Sequence, residues 1–337
     1  MLSDRRQRVL AALIEEYVAR ALPVGSRTLT ERYQLGVSPA TVRNELSVLE
    51  DDGYITQPHT SAGRIPTDFG YRAFVDDLLK SGLAPADDDR YRRVAEQMRG
   101  TASELDSLLE QTSSALSRLT DCLSIVLAPS VLNMRIRQIT LVSLAPQRSL
   151  VVVVTEDGQV FNRQMDFAEG VSPEDLAAVQ RLLNEVLLGK TIREVEDGLG
   201  RGMYEAFRSP LVRMALDEVL SCLQEGDLSR AHRLGVSSLL TKPEFSQSES
   251  VVPVLKALED NTVLLHIFDD AARSGDVPCV RIGSENAAEG LSGVSVVASS
   301  YGRGPSMGVV AVIGPTRMDY SKIIQAVRIA RNALDDI

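Results

Sequence analysis

Tryptophan is absent from the 337 residues and aromatic side chains make up only 4% of them, so the core has to be built from Leu, Val, Ile and Ala. Cysteine and histidine are scarce too, with three of each. Cys122, Cys222 and Cys279 are far apart, odd in number and outside any C-x-x-C pairing, which excludes a disulfide framework or a zinc site and makes them small buried hydrophobes. His232 and His266 stand alone, and His266 lies inside the apolar run TVLLHIF as a satisfied buried histidine would. No metal or other cofactor is expected. A run of 18 apolar residues is also missing, so no helix is expected to span a membrane. Glu15 and Glu16 interrupt the N-terminal apolar stretch before it could serve as a signal peptide, and a cytoplasmic location follows.

Positive charge is the last shortage. The formal net charge is −10, which argues at first sight against a nucleic-acid protein. Its distribution is uneven: residues 1–72 hold nine Arg against nine Asp or Glu, so the excess acid lies downstream. A neutral module on an acidic body binds DNA weakly in general and needs well-placed contacts to bind a site.

What is present is a globular composition, 44% hydrophobic and 24% charged, in a chain long enough for two or three domains. Val9, Leu10, Leu13, Ile14, Tyr17 and Val18 recur at helical spacing and predict an amphipathic helix over 4–21. Ser26 or Thr28 can cap a short second helix to about Tyr33, with Thr28 and Glu31 forming a capping box. After the turn at Gly36, SPATVRNELSVLEDDGY opens a third helix. Ser38 is its N-cap, Pro39 suits the first helical position and Gly53 marks its end. Val42, Leu46 and Leu49 share one face. Ala40, Asn44 and Ser47 fall on the opposite one, flanked by Thr41 and Arg43. Small hydrogen-bonding side chains there fit a helix-turn-helix whose third helix enters a major groove.

The segment QPHTSAGRIPTDFGYR then acquires a meaning. Tyr54 to Thr56 predict a short strand, His59 to Gly63 a tight turn, and Arg64 to Pro66 a returning strand, followed by a fourth helix capped by Thr67. A hairpin behind a recognition helix is a wing. Arg64 and His59 could reach phosphates or the minor groove, with Thr60 and Ser61 beside them, while Ser61 and Gly63 permit close backbone approach. The plainer alternative is an exposed hairpin without a role. A catalytic loop lacks a second acid, base or nucleophile near His59, and no Walker A pattern occurs. An enzyme is not expected.

Downstream, GLAPADDDR at 82–90 is a connector, and 91–121 is helical. LSIVLAP, IRQITLVSLA, SLVVVVTEDG and VFNRQMDF are strand-like, as are VPCVRIGSE, LSGVSVVASSY and MGVVAVIGP near the C-terminus, which closes with a helix over 320–334. Two strand clusters around helices predict an α+β sheet domain split by a mainly helical insertion within 192–265, clearest at MYEAFRSPLVRMALDEVLSCL. That insertion either dimerises or packs on its own sheet. GRGPSMG at 302–308 fits a glycine-rich hairpin better than a phosphate loop.

VGSRTLTERY, GVSPATVRNELSVLEDDGYITQPHTSAGRIPTDFGYR and the distant IGPTRMDY together resemble the heat-inducible transcription repressor HrcA family of bacteria. The resemblance implies a winged helix over 1–82, a GAF-like antiparallel-sheet domain over 91–192 and 266–337, and a dimerising segment inserted at 193–265. It further implies a homodimeric repressor of chaperone genes on an inverted-repeat operator in double-stranded DNA, active only with help from the chaperonin. In that reading Asn44, Thr41, Ser47 and Arg43 meet base edges, Ser38 holds phosphate, and His59, Thr60, Ser61 and Arg64 form the wing contacts. A competing reading makes the sheet domain a metabolite sensor that switches a winged-helix regulator.

Overall fold

A computed structural model describes residues 2–59, 62–81, 105–129, 134–156, 158–191, 209–229, 231–246, 248–259, 277–286, 290–302 and 307–335, with isolated positions at 194, 195, 198, 267, 270, 271 and 273–275. The connector at 82–90, the helical stretch to 104, His266 and most of GRGPSMG lie outside these residues. Two compact units form: one from 1–126, 232–301 and 309–337, the other from 127–231 and 302–308.

The first unit begins with four helices. Helix α1 (Asp4–Arg20) is capped by Ser3 and buries Val9, Leu10, Ala12, Leu13 and Ile14, the stripe its spacing prescribes. Glu16 is buried as well, held by Arg20 on its own helix at 3.0 Å and by Arg32 at 3.3 Å. Helix α2 (Ser26–Arg32) starts one residue earlier than a Ser26 cap would require. Gly25 occupies the N-cap, no side chain caps the helix, and the Thr28–Glu31 box does not form because both residues are already helical. Helix α3 (Pro39–Asp51) has Ser38 as its side-chain cap and Pro39 in its first turn. Gly53, at φ +80°, turns the chain out of it.

Strands β1 (Ile55–Thr56) and β2 (Ile65–Pro66) pair antiparallel, Ile55 opposite Pro66 and Thr56 opposite Ile65. The α1–α2 linker adds a third rung through an antiparallel bridge between Val24 and Arg64. Helix α4 (Asp68–Ser81) is capped by Thr67, whose Oγ1 accepts from the Gly70 amide at 3.1 Å and donates to the Gly53 and Tyr54 carbonyls at 2.7 and 3.0 Å. Gly70 permits this packing, since a Cβ there would stand 2.0 Å from the Tyr54 carbonyl oxygen.

The rest of this unit is a five-stranded sheet with helices on it. Its order is β7 (Ala231–Leu234), β3 (Leu123–Leu127), β10 (Gly308–Pro315), β9 (Val294–Tyr301) and β8 (Cys279–Ile282). Every residue of β9 and β10 is buried, as happens when both faces of a strand are covered. Helix α5 (Leu105–Thr120) and helix α10 (Tyr320–Asp335) pack together, α10 lying along β9 with Ile323, Ile324, Val327 and Ala330 inward. Helix α8 (Val236–Leu240) and helix α9 (Ser248–Glu259) follow β7, and short 3-10 turns cover Pro243–Phe245 and Gly283–Glu285.

The second unit is a separate antiparallel meander of β4 (Ile136–Ala145), β5 (Arg148–Thr155) and β6 (Val160–Asp166), with α6 (Pro173–Leu187) and α7 (Pro210–Ser229) against it. Of the first strand cluster, β3 therefore joins the C-terminal strands in one sheet, whereas β4 to β6 form a sheet of their own, which the strand pattern did not separate. β4 to β6 are joined by tight turns and satisfy their backbone groups locally. β5 alternates in burial, as a strand covered on one face does, which sets it apart from β9 and β10. Ile139, Val151, Val153, Leu176, Leu183, Leu216 and Val219 form the core between sheet and helices. On α6, Asn184 accepts from the Ile139 amide at 2.9 Å and donates to its carbonyl at 2.7 Å, while Gln180 accepts from the Leu141 amide at 2.8 Å. The helix thus completes the β4 edge as a further strand would.

Candidate nucleic-acid interface

Helix α3 turns Val42, Leu46 and Leu49 into the core, and this leaves Ala40, Arg43, Asn44 and Ser47 exposed in a row along its outer face. Ser38 is exposed and Thr41 half-buried. Their hydroxyls serve each other first: Ser38 Oγ accepts from the Thr41 amide at 3.2 Å and lies 3.0 Å from Thr41 Oγ1. Both still stand at the positive end of the helix dipole, where an anionic oxygen is favoured.

The electrostatics of this face depend on partners that the sequence pattern did not reveal. Glu45 lies on α3 and would oppose a phosphate. It is 3.0 Å from Arg6 and 3.6 Å from Arg5, both on α1. Glu50 is tied to Arg64 at 2.8 Å. With these two carboxylates paired, Arg43 and, at the C-terminal end of the helix, Asp51 are the exposed charges of the outer face that have no ion-pair partner among the described residues. Nothing local in the sequence signals this pairing, because Arg5 and Arg6 lie some forty positions before Glu45.

The hairpin behind α3 is braced across its turn, where Gln57 Nε2 donates to the Ala62 carbonyl at 2.8 Å and the Ala62 amide to the His59 carbonyl at 2.8 Å. His59 is exposed. Thr60 and Ser61 lie outside the described residues. Arg64 is placed differently from a freely reaching side chain: its Nε and Nη2 both donate to Glu50 Oε2, at 3.1 and 2.8 Å, and its side chain is 24% exposed. It fastens the hairpin to α3. The close approach that Gly63 permits is to the chain itself, because a Cβ would lie 2.6 Å from the Val24 carbonyl group.

Ser38, Thr41, Arg43, Asn44 and Ser47 are therefore brought together on one helix, and the hairpin carrying His59 and Arg64 is fixed directly to that helix. Cys122 and Cys222 are buried as expected, whereas Cys279 is partly exposed. Among the described residues no cluster of His, Cys, Asp or Glu could hold a metal ion, and no helix is long and apolar enough to cross a membrane.

Residues 106–324 match the family model described as HrcA protein C terminal domain. The chain is 42% identical over 332 residues to the heat-inducible transcription repressor HrcA of Streptomyces avermitilis, covering 97% of this chain and 96% of that protein. The chain belongs to the HrcA family. Other HrcA relatives include the heat-inducible transcription repressors of Nocardioides sp., 39% identical over 329 residues, and Moorella thermoacetica, 38% identical over 341 residues. They cover 97% and 99% of this chain, and 96% and 97% of their own lengths. A solved structure described as a crystal structure of a hypothetical protein at 2.2 Å resolution is 26% identical, covers 100% of this HrcA-family chain and 98% of its own, and superposes with a TM-score of 0.65. The α3 face and its hairpin precede the segment that the HrcA family model matches.

Proposed function

We propose that this HrcA-family chain is a homodimeric repressor of heat-shock genes that reads an inverted-repeat operator in double-stranded DNA with a winged helix. In this reading α1 to α3 are the helix-turn-helix, α3 enters the major groove, and the β1–β2 hairpin is the wing. One observation carries it: α3 offers Arg43, Asn44 and Ser47 outward while Glu45 and Glu50 on the same helix are paired off by Arg5, Arg6 and Arg64. A merely solvated helix has no need of that arrangement. Arg43 can donate twice to a guanine edge, Asn44 can donate to N7 and accept from the N6 amino group of adenine, and Thr41 and Ser47 abut them. Ser38 with the first turn of α3 holds a phosphate. His59, Thr60 and Ser61 supply wing contacts, and Arg64 places the wing through Glu50.

Two copies related by a two-fold axis present their α3 helices to successive major grooves about 34 Å apart, or a multiple of that, which requires an inverted repeat. The dimerising segment is assigned to 193–265, where Met214, Val236, Leu240 and Val252 are exposed apolar side chains. The division into a DNA-binding module at 1–82 and a GAF-like sheet domain at 91–192 and 266–337 belongs to the same reading. So do the cytoplasmic location, the non-enzymatic role and the dependence on the chaperonin, which rests on the family resemblance.

The test is binding of the purified protein, with and without chaperonin, to an inverted-repeat duplex and a scrambled control across a salt series. Tight binding restricted to the repeat and strengthened by chaperonin is expected. Arg43→Ala or Asn44→Ala should cost roughly 1–3 kcal/mol of discrimination. Equal weak binding to both duplexes would sink the operator reading.

A further inference from the structure

The N-terminal helices are fastened to the five-stranded sheet by contacts that are polar, directional and remote in sequence. On α4, Arg72 Nε donates to Glu285 Oε1 at 2.7 Å and Nη2 to the Val280 carbonyl at 2.5 Å, and Nη2 also pairs with Glu285 Oε2. One turn earlier, Asp68 Oδ2 accepts from the amide and the hydroxyl of Ser284, both at 2.9 Å. Gly283 makes room for it: a Cβ there would be 2.3 Å from Asp68 Oδ2, and its φ of +51° suits glycine. A third tie comes from Arg317, just before α10. Its Nε donates to Glu244 Oε1 at 2.5 Å and its Nη1 to the Val18 carbonyl in the last turn of α1 at 2.7 Å.

These ties are poor sources of stability. The Arg72 and Glu285 side chains are 24% and 28% exposed, and ion pairs within reach of water contribute little free energy. Tyr71, packed against Tyr320 in the middle of the contact, has a buried hydroxyl with no hydrogen-bond partner among the described residues, which is a cost. What forked arginine contacts do supply is direction. Two of them, from Arg72 on α4 and from Arg317 to the end of α1, together with the Asp68–Ser284 contact, fix the module in rotation as well as position.

We infer that Asp68, Arg72 and Arg317 are positioning residues that hold α3 at one orientation on the sheet body and thereby set the half-site spacing the protein accepts. This rests on the operator reading. A module held only by the chain would meet half-sites over a range of separations, whereas a docked one meets a single separation. None of the three lies on the α3 face or the hairpin, so a lone half-site is read equally well without them.

The experiment uses the full chain in a Cys279→Ser background, with spin labels at Ser47→Cys on α3 and Lys322→Cys on α10, diluted into unlabelled chain. A narrow distance distribution is expected. In D68A/R72A/R317A it should broaden at least twofold, and restoring the pair by charge exchange, R72E/E285R, should narrow it relative to R72E alone. In parallel, binding is measured to a single half-site and to inverted repeats whose spacer varies over one helical turn. The unsubstituted chain should prefer one spacer at least tenfold, and the triple variant less than threefold with unchanged half-site affinity. An unchanged distance distribution overturns the dock as an orienting device. A broadened distribution with the spacer preference intact overturns its role in spacing. A wild-type chain with no preference for any repeat, but whose distribution broadens in the variant, counts against the operator reading and leaves the orienting dock standing.

Discussion

Gly70 is the position where two ordinary rules give opposite answers. It lies inside the first turn of α4, and replacing a helical glycine by alanine normally stabilises by up to about 1 kcal/mol. Here the new Cβ would lie 2.0 Å from the Tyr54 carbonyl oxygen and 3.0 Å from its carbon, whereas ordinary contact begins near 3.4 Å. The obstacle is backbone, so relief needs more than 1 Å of movement between α4 and the start of β1. Overpacking of this kind costs about 1–3 kcal/mol. The movement also disturbs two hydrogen bonds to the same carbonyl, from the Thr67 amide at 3.1 Å and its hydroxyl at 3.0 Å, each contributing roughly 1 kcal/mol. The clash wins, and Gly70→Ala should lose about 2 kcal/mol. Gly25 is the control: a Cβ there meets nothing within 4 Å, and serine at that N-cap should gain a few tenths of a kcal/mol. Urea unfolding followed by circular dichroism gives the magnitudes, and amide exchange places the loss in α4 and the hairpin. A Gly70→Ala protein as stable as the unsubstituted chain would refute the reasoning.

Other outcomes follow from the same geometry. Ser38→Ala removes the α3 cap and should cost about 1 kcal/mol, read by urea unfolding, with faster amide exchange confined to the first turn of α3. Burial raises the Glu285 carboxyl, but hydrogen bonds from Arg72 and from the Ile282 amide outweigh it and leave its pKa below the ordinary carboxylate value. A depressed acid stabilises the fold above its unfolded pKa, about 4.3, and that contribution disappears as pH falls through the lower folded value. Protection of β8 amides should therefore drop in that window in the unsubstituted chain, and Glu285→Gln should lack this step. Burial pushes the Cys122 thiol up to about 11, and Cys222 is buried too, so a thiol reagent at pH 8 should modify Cys279 first and all three cysteines only after unfolding.

The features legible in the sequence are those whose causes are local. Ser38, Pro39 and Gly53 delimit α3 by chemistry that acts within a few residues, and the hydrophobic stripe of α1 states its own period. Thr67 was recognisable as a cap for the same reason. Where two local signals competed, one could mislead: Ser26 and Thr28 are good cap residues, yet the chain enters α2 from Gly25 because the Val24–Arg64 bridge fixes the linker just before it. Pairings between distant positions left no trace. That β3 lies beside β10, that Arg6 faces Glu45, and that Asp68 meets Ser284 are outcomes of packing the whole unit. Arg64 shows the limit most clearly, since an arginine in a wing suggests phosphate until Glu50 is seen against it.

Strand growth in the second unit is closed on one side by the backbone of Gly189 and Lys190 at Ile136 and, further along β4, by side chains. Asn184 and Gln180 occupy backbone groups of β4 that would otherwise accept a strand from another molecule, so α6 acts as a terminator. Side-chain amides release such groups more readily than a continuous ladder does. Heat that loosens α6 would uncover the edge of ITLVSLA, a run rich in β-branched and apolar residues, before the meander itself opens. The route from warming to aggregation would then begin at two amide side chains, with the sheet still intact.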